Sequence, residues 1–219
     1  MKSIFLTFCL VATTIIACGQ NYSDTKITFG LSGGSNFSTF SIKAPNQLYV
    51  EPNLAYPFSI GFNADITFND YFSIRPSIFY QGKGSTVNEQ TTIYNVADIY
   101  KLHYLEIPVD FIGHIPLNDE GTNIFLGGGP FISVGLNGTR EKTINDVKTK
   151  ENLTFGSNGD FKAVDLGLTT VLGFQTASGT AVSINIDFGF SNILQNSDLN
   201  IGATSAKTGT FYLSLGQSF

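Results

Sequence analysis

The feature that most constrains this chain is a two-residue alternation of apolar and polar side chains, which recurs in eight separate segments. Segment 58–68 places Phe, Ile, Phe, Ala, Ile and Phe on one face and Ser, Gly, Asn, Asp and Thr on the other. A period of two is typical of a β-strand, because successive side chains point to opposite faces of a sheet. We therefore predict an all-β fold with strands at about 26–34, 58–68, 71–83, 101–115, 123–136, 161–176, 180–193 and 208–219.

The connections between these strands alternate in length. Short turns follow the second, fourth and sixth strands, and long loops occupy 38–57, 84–100, 137–160 and 194–207. An even number of strands, with tight turns at one end and long loops at the other, is typical of a membrane-spanning barrel. The pattern therefore favours an antiparallel up-and-down arrangement in which each strand pairs with its sequence neighbours.

The two faces of the predicted strands differ in size and charge. One face is large and apolar, with no Arg or Lys in the best-defined segments, whereas the other is small, polar and rich in Gly. A soluble barrel would place its apolar face inward and its charges outward. A lipid-facing Arg or Lys near the bilayer midplane would cost about 2–4 kcal/mol. We therefore predict an eight-stranded antiparallel transmembrane up-and-down β-barrel in the outer membrane, with a lumen filled by side chains.

The N-terminus has the composition of a signal peptide. Lys2 precedes an apolar run at 4–17, which is shorter than the roughly 20 residues that a membrane-spanning helix needs. We assign residues 1–19 to this segment and residues 20–219 to the barrel domain. Two processing routes stay open: cleavage before Gln20, or lipidation of Cys18 at a lipobox. Cys9 and Cys18 are the two cysteines of the chain, so the barrel domain is predicted to have no disulfide and no cysteine metal site.

Composition excludes several classes of function. Charged residues make up 13% of the chain, the net charge is −5, and Phe and Tyr number 20 and 9. Few charges with many aromatic residues argue against a disordered chain, and an acidic balance argues against nucleic acid as a partner.

Charged residues on the polar face are the candidate site residues. They are predicted to form an ion-pair network in the lumen with a structural role, and they are Arg75, Glu106, Asp110, Asp65, Asp165 and Asp187. The alternative is a proton or ion path, or paired carboxylates for acid–base chemistry. We expect no catalytic, cofactor or metal site.

The two histidines are too far apart to share a metal ion. His103 and His114 lie on one predicted strand, on the order of 30 Å apart. His103 with Ser85 is the faint candidate for a base and a nucleophile, and we expect that the protein is not an enzyme. We also predict that Gly82–Thr86 lies at the upper rim of the third strand and that 137–160 is a mobile solvated loop.

Five segments resemble the outer-membrane β-barrel proteins of the Bacteroidetes that are often called the PorT family. They are Gly30–Ser38, Phe72–Lys83, Lys101–Val109, Gly127–Phe131 and Phe211–Gly216. The resemblance covers nearly the whole barrel domain, and the segment Lys-Leu-His-Tyr-Leu-Glu-Ile-Pro is its most specific part. It implies an outer-membrane barrel and supplies no site. Gln217 departs from the family's usual ending, but the terminal Phe219 is present as an expected assembly signal.

Three functions follow as hypotheses. The first is a structural or interaction protein whose long external loops recognise surface partners. The second is a component of a secretion or envelope-assembly machinery, and the third is a membrane-embedded enzyme that modifies lipid. The expected partners are outer-membrane lipid, the barrel-assembly machinery acting on the C-terminal strand, and a surface or periplasmic protein.

Overall fold

A computed structural model describes residues 25–43, 50–90, 95–144, 147–195 and 203–219. The predicted signal peptide lies outside these residues, together with both processing sites and Cys18. Among the described residues, no helix has the length and apolarity needed to cross a membrane.

The described residues form ten β-strands. Their bounds are β1 Lys26–Lys43, β2 Val50–Asn53, β3 Phe58–Asn69, β4 Phe72–Gln90, β5 Asn95–Pro116, β6 Asn123–Ile144, β7 Val147–Leu153, β8 Val164–Gln175, β9 Thr180–Gly189 and β10 Ser205–Ser218.

Eight of these strands close into a barrel. Each pairs antiparallel with two neighbours, in the order β1, β3, β4, β5, β6, β8, β9 and β10, and β10 returns to β1. The two remaining strands are additions, since β2 pairs with β4 and β7 pairs with β6. The predicted eight-stranded antiparallel up-and-down barrel is confirmed.

The side chains along the barrel strands point outward and inward as the alternation predicts. In β8 the burial alternates at each residue from Val164 to Phe174, with Val164, Leu166 and Phe174 outward and Asp165 and Val171 inward. In β3, Phe58, Ile60 and Phe62 are all exposed on the exterior. A continuous apolar band therefore surrounds the barrel, as a lipid-facing surface requires.

Glycines in the wall make room for aromatic rings inside. A Cβ at Gly173 would overlap the ring of Phe125, and one at Gly167 would overlap the ring of Phe131. Large and small residues thus interlock across neighbouring strands, which fills a narrow interior without displacing the wall.

Three tight turns lie at one end of the barrel, which we call the turn end. They are the β3–β4, β5–β6 and β8–β9 connections. Asn69 closes the first by accepting the backbone N–H of Tyr71 and Phe72 at 2.9 and 3.0 Å. Gly121 and Gly179 adopt positive φ of 99° and 85° in the other two, a conformation that favours Gly. Because short turns face the periplasm in outer-membrane barrels, the turn end is the periplasmic end.

The opposite end, which we call the hairpin end, differs from the prediction. Segment 84–100 is mostly strand, since β4 reaches Gln90 and β5 begins at Asn95. Segment 137–160 contains the end of β6 and all of β7, so its assignment as a mobile loop is wrong. Gly82–Thr86 consequently lies within β4 rather than at its rim.

These extensions form a second structural feature at the hairpin end. β2, β4, β5, β6 and β7 pair in that order, and β2 and β7 pair with the outer parts of their neighbours. We call this five-stranded antiparallel sheet the platform; it comprises β2, β7 and the parts of β4, β5 and β6 at 84–90, 95–103 and 137–144. Backbone pairing makes the platform a continuation of the barrel wall.

Candidate functional site

The candidate site is the barrel interior, where four zones follow one another from the turn end to the hairpin end. They are a vestibule, a small cavity beside Arg75, a charged cluster around Lys83 and an apolar cluster. Each zone is built from side chains on the inward face of the alternating strands.

The vestibule and the small cavity occupy the turn-end half. The vestibule has a volume of about 540 Å³, and its walls include Lys26, Asp119 and His114. The small cavity has a volume of about 60 Å³ and includes Arg75 in its walls. Because Asp65 lines both, the turn end leads inward as far as the Arg75 side chain.

Arg75 and Asp65 form the first charged group. Arg75 Nε donates to Asp65 Oδ1 at 2.7 Å, and its guanidinium lies 4.6 Å from the centre of the Phe125 ring. Asp110 stands opposite Arg75 in the β4–β5 register. Both partners of the ion pair keep some exposure, 15% for Arg75 and 10% for Asp65, because the cavity adjoins them.

Lys83 is the centre of the second charged group. Its Nζ lies 2.7 Å from Glu106 Oε2 and 3.4 Å from Asp165 Oδ2. Phe131 and Tyr104 face the ammonium with their rings at 4.3 and 5.3 Å. The Lys83 side chain is 0% exposed, so buried protein groups rather than bulk water compensate its charge.

Neighbouring hydroxyl and amide groups extend the Lys83 cluster. Ser133 donates to Glu106 at 2.6 Å, and Thr208 donates to Asp165 at 2.7 Å. Gln81 Nε2 donates to Asp187 Oδ2 at 3.3 Å. Thus the six predicted lumen residues all point inward, and ion pairs join Arg75 to Asp65 and Lys83 to Glu106 and Asp165.

Sequence reasoning missed Lys83, the cation of the larger group. The two-residue alternation itself indicates that Lys83 points inward, because Lys83 lies an even number of residues after the inward-facing Ser73, Arg75 and Ser77. A strand that ends at Lys83 leaves this side chain at a rim, but β4 continues to Gln90, so the side chain lies inside the lumen.

The apolar cluster fills the hairpin end of the interior. Its core includes the buried side chains of Phe40, Leu102, Tyr104, Phe161 and Ile193. The segment between β7 and β8 contributes to it. Isolated backbone β-bridges pair Phe155 with Phe161, and Phe161 with Leu194. Rings and aliphatic side chains therefore close over the charged cluster from the hairpin end.

Ser85 and His103 do not form a catalytic pair. Ser85 is buried inside the wall and donates to the Asn53 carbonyl at 3.3 Å. His103 Nδ1 bonds the Tyr80 hydroxyl at 2.7 Å, and the two rings stack at 5.5 Å. Since Gly82 rather than Ser85 stands opposite His103, the faint candidate dyad is wrong. Within the described ranges, no group of three or more His, Cys, Asp or Glu side chains is arranged to hold a metal ion.

The closed, lipid-banded cylinder defines the class as a transmembrane β-barrel, and the comparisons specify its family. The model of the outer membrane protein beta-barrel domain matches residues 19–195, which is more than half of the chain. The chain therefore belongs to the outer membrane protein β-barrel family, and its location is the outer membrane. Comparison with curated proteins gave no match.

Solved structures similar to this chain include three bacterial proteins. The Yersinia pestis attachment invasion locus protein Ail is 13% identical, with 88% of this chain and 98% of that chain covered and a TM-score of 0.45. Neisserial surface protein A is 11% identical, with coverages of 89% and 99% and a TM-score of 0.45. Pseudomonas aeruginosa OprG is 11% identical, with coverages of 89% and 97% and a TM-score of 0.41.

Proposed function

We propose that this outer-membrane barrel is an interaction protein that presents its platform to a partner outside the cell. The observation that carries the proposal is the pairing of five strands beyond the lipid-facing band, which holds the platform in one shape. A preordered surface loses less conformational entropy on binding than a flexible loop does. The proposed role is one of binding, without a catalytic step at the hairpin end.

The charge of the platform suggests what the partner carries. Lys101 Nζ lies 3.1 Å from Glu141 Oε1, and Lys150 stands opposite Glu141 in the β6–β7 register. The hydrogen bond and charge of Lys101, followed by the charges of Lys150 and Lys148, lower the pKa of Glu141 below its ordinary value. Three lysines around one carboxylate form a cationic patch on an acidic chain, so we propose a partner with acidic groups.

We also propose that the lumen does not conduct ions. The buried Lys83 cluster and the apolar cluster lie in series between the cavities and the hairpin end. Eight-stranded barrels have interiors only wide enough for side chains. A wild-type barrel in a planar bilayer is therefore expected to show no large steady conductance.

Two finer assignments accompany this proposal. We propose a place among the PorT-like barrels of the Bacteroidetes, supported by the segment Lys101–Val109. We also propose that β10 and its terminal Phe219 are read by the barrel-assembly machinery. Phe219 exchanges backbone hydrogen bonds with Phe29 at 2.8 and 3.3 Å and exposes its ring at the turn end.

The experiment compares partners recovered from gently solubilised envelopes after crosslinking on intact cells. The test variant is K148E/K150E on β7, and the matched control is D119K/E120K in the β5–β6 turn. Loss of a crosslinked partner in the platform variant alone supports the proposal. Loss in the turn variant alone would instead support a periplasmic assembly or secretion role, and loss in neither variant contradicts recognition by the platform charges.

A further inference from the structure

Three polar side chains form a hydrogen-bonded series at the turn end, on neighbouring strands β4, β5 and β6. Ser73 Oγ lies 2.8 Å from His114 Nε2, and His114 Nδ1 lies 3.2 Å from Asn123 Oδ1. All three point inward, and His114 and Asn123 line the vestibule. The series lies at the end of the barrel opposite the platform, so it is independent of the proposed recognition function.

A fourth contact fixes the direction of the series. Asn123 Nδ2 donates to the Gly121 carbonyl at 3.0 Å, so the amide oxygen is the atom that faces His114. An amide oxygen can only accept, which places the proton of the neutral imidazole on Nδ1. Nε2 is then an acceptor, and the Ser73 hydroxyl donates to it.

This is the arrangement of a nucleophile, a general base and a group that orients the base. We propose that Ser73, His114 and Asn123 form a hydrolytic site that cleaves small carboxylic esters entering from the vestibule. Ser73 and His114 are the catalytic residues, and Asn123 is a positioning residue. This goes against the expectation from the sequence that the protein is not an enzyme.

The proposed reaction has two balanced steps. Ser73 Oγ attacks the ester carbonyl carbon while His114 Nε2 takes the hydroxyl proton; that proton passes to the departing alcohol as the carbon–oxygen ester bond breaks. Water then attacks the acyl-serine and gives a proton to Nε2, and the proton returns to Ser73 as the carboxylic acid leaves. Water is the second substrate, and no oxidant or reductant takes part.

The geometry also limits the substrate. Ser73 is 3% exposed, so a bulky acyl group cannot reach its hydroxyl, whereas the vestibule of about 540 Å³ has room for the remainder of a small molecule. The expected substrate class is therefore an ester with a short, slender acyl group, such as an acetyl ester.

The experiment uses the folded barrel in detergent micelles, with methanesulfonyl fluoride as a small serine-directed probe and p-nitrophenyl acetate as the substrate. The expected result is one methanesulfonyl adduct per chain on the peptide that contains Ser73, together with acetate release. S73A should remove both. H114Q should slow both by at least about a hundredfold, the lower range for loss of a general base.

Further variants separate a catalytic series from a structural one. N123D keeps the acceptor and should retain the reaction, whereas N123L should slow it. Ser77 lines the small cavity, so S77A is the matched control and should react like wild type. Far-ultraviolet circular dichroism confirms that each variant is folded.

The wild-type chain gives a readout that does not depend on any variant folding. Absence of the adduct on folded wild-type protein, or equal hydrolysis by folded S73A, would each overturn the proposal.

Discussion

The two ends of the barrel interior are built from the same alternation but have different contents. At the hairpin end, buried side chains such as Phe40, Tyr104 and Phe161 pack together. At the turn end, cavities lie between smaller side chains such as Thr28 and Ser214. The difference shows that alternation defines which side chains point inward, whereas their size decides whether the interior is filled.

The two interior cations illustrate what this difference means for charge. Lys83 has no exposed surface and is enclosed by Glu106, Asp165 and aromatic rings. Arg75 keeps 15% exposure beside the small cavity. A volume of about 60 Å³ is large enough for water molecules, so charges at the turn end are screened more strongly than those around Lys83.

Removing the buried cation gives the largest expected effect. Lys83→Met keeps the side-chain length but leaves Glu106 and Asp165 without their cation, which should cost about 3–5 kcal/mol of unfolding free energy. Arg75→Met is the matched variant and should cost less, because the cavity gives Asp65 access to water. Equilibrium urea unfolding of the barrel in lipid vesicles measures both. An equal cost for the two variants would show that the two ends do not differ in screening.

Opening the packed end is expected to have the next largest effect. Phe161→Ala removes a buried ring from the apolar cluster. It should lower the free energy of unfolding, measured by the same urea titration, by about 3 kcal/mol, the lower range for such a change. Val171→Ala beside the small cavity is the control, and it should cost less because it deletes fewer buried atoms.

The reactivity of single introduced cysteines tests directly whether Phe161→Ala opens the apolar cluster. In a chain without Cys9 and Cys18, Ala206→Cys lies in the apolar cluster and Ser214→Cys lines the small cavity. A small thiol reagent should modify the Ser214→Cys chain and spare the Ala206→Cys chain, until Phe161→Ala is added. Ready modification of Ala206→Cys in the otherwise unchanged barrel would mean that the hairpin end is already open.

The sequence predicted the barrel wall well, because one physical rule governs it. In β3 and β8 each outward residue meets lipid and each inward residue meets the lumen, so a period of two holds throughout. The same rule underestimated the hairpin end. Segments 84–100 and 137–160 are rich in polar residues that resemble loops, but pairing with chain neighbours satisfies backbone groups in most of their described residues and makes these residues strands.

The interior contacts were harder to predict, because they depend on register between strands. Asp65 and Arg75 could be assigned to one interior, but not paired with each other. Ser73, His114 and Asn123 lie 41 and 9 residues apart and gain their contacts only where β4, β5 and β6 align. The relative register of these three strands is not encoded by any short sequence pattern.

The smallest expected effect concerns an ion pair on the platform, which completes the comparison with Lys83. Lys101 and Glu141 form a contact of 3.1 Å, but their side chains are 47% and 32% exposed. Exposed pairs contribute less than about 1 kcal/mol and are screened by salt. Glu141→Gln should therefore change the unfolding free energy by less than this amount, and the change should shrink further as salt is added. For Lys83→Met the cost should persist in high salt, because its partners are buried. A cost for Glu141→Gln that matches that of Lys83→Met would mean that the platform pair is as well enclosed as the lumen pair.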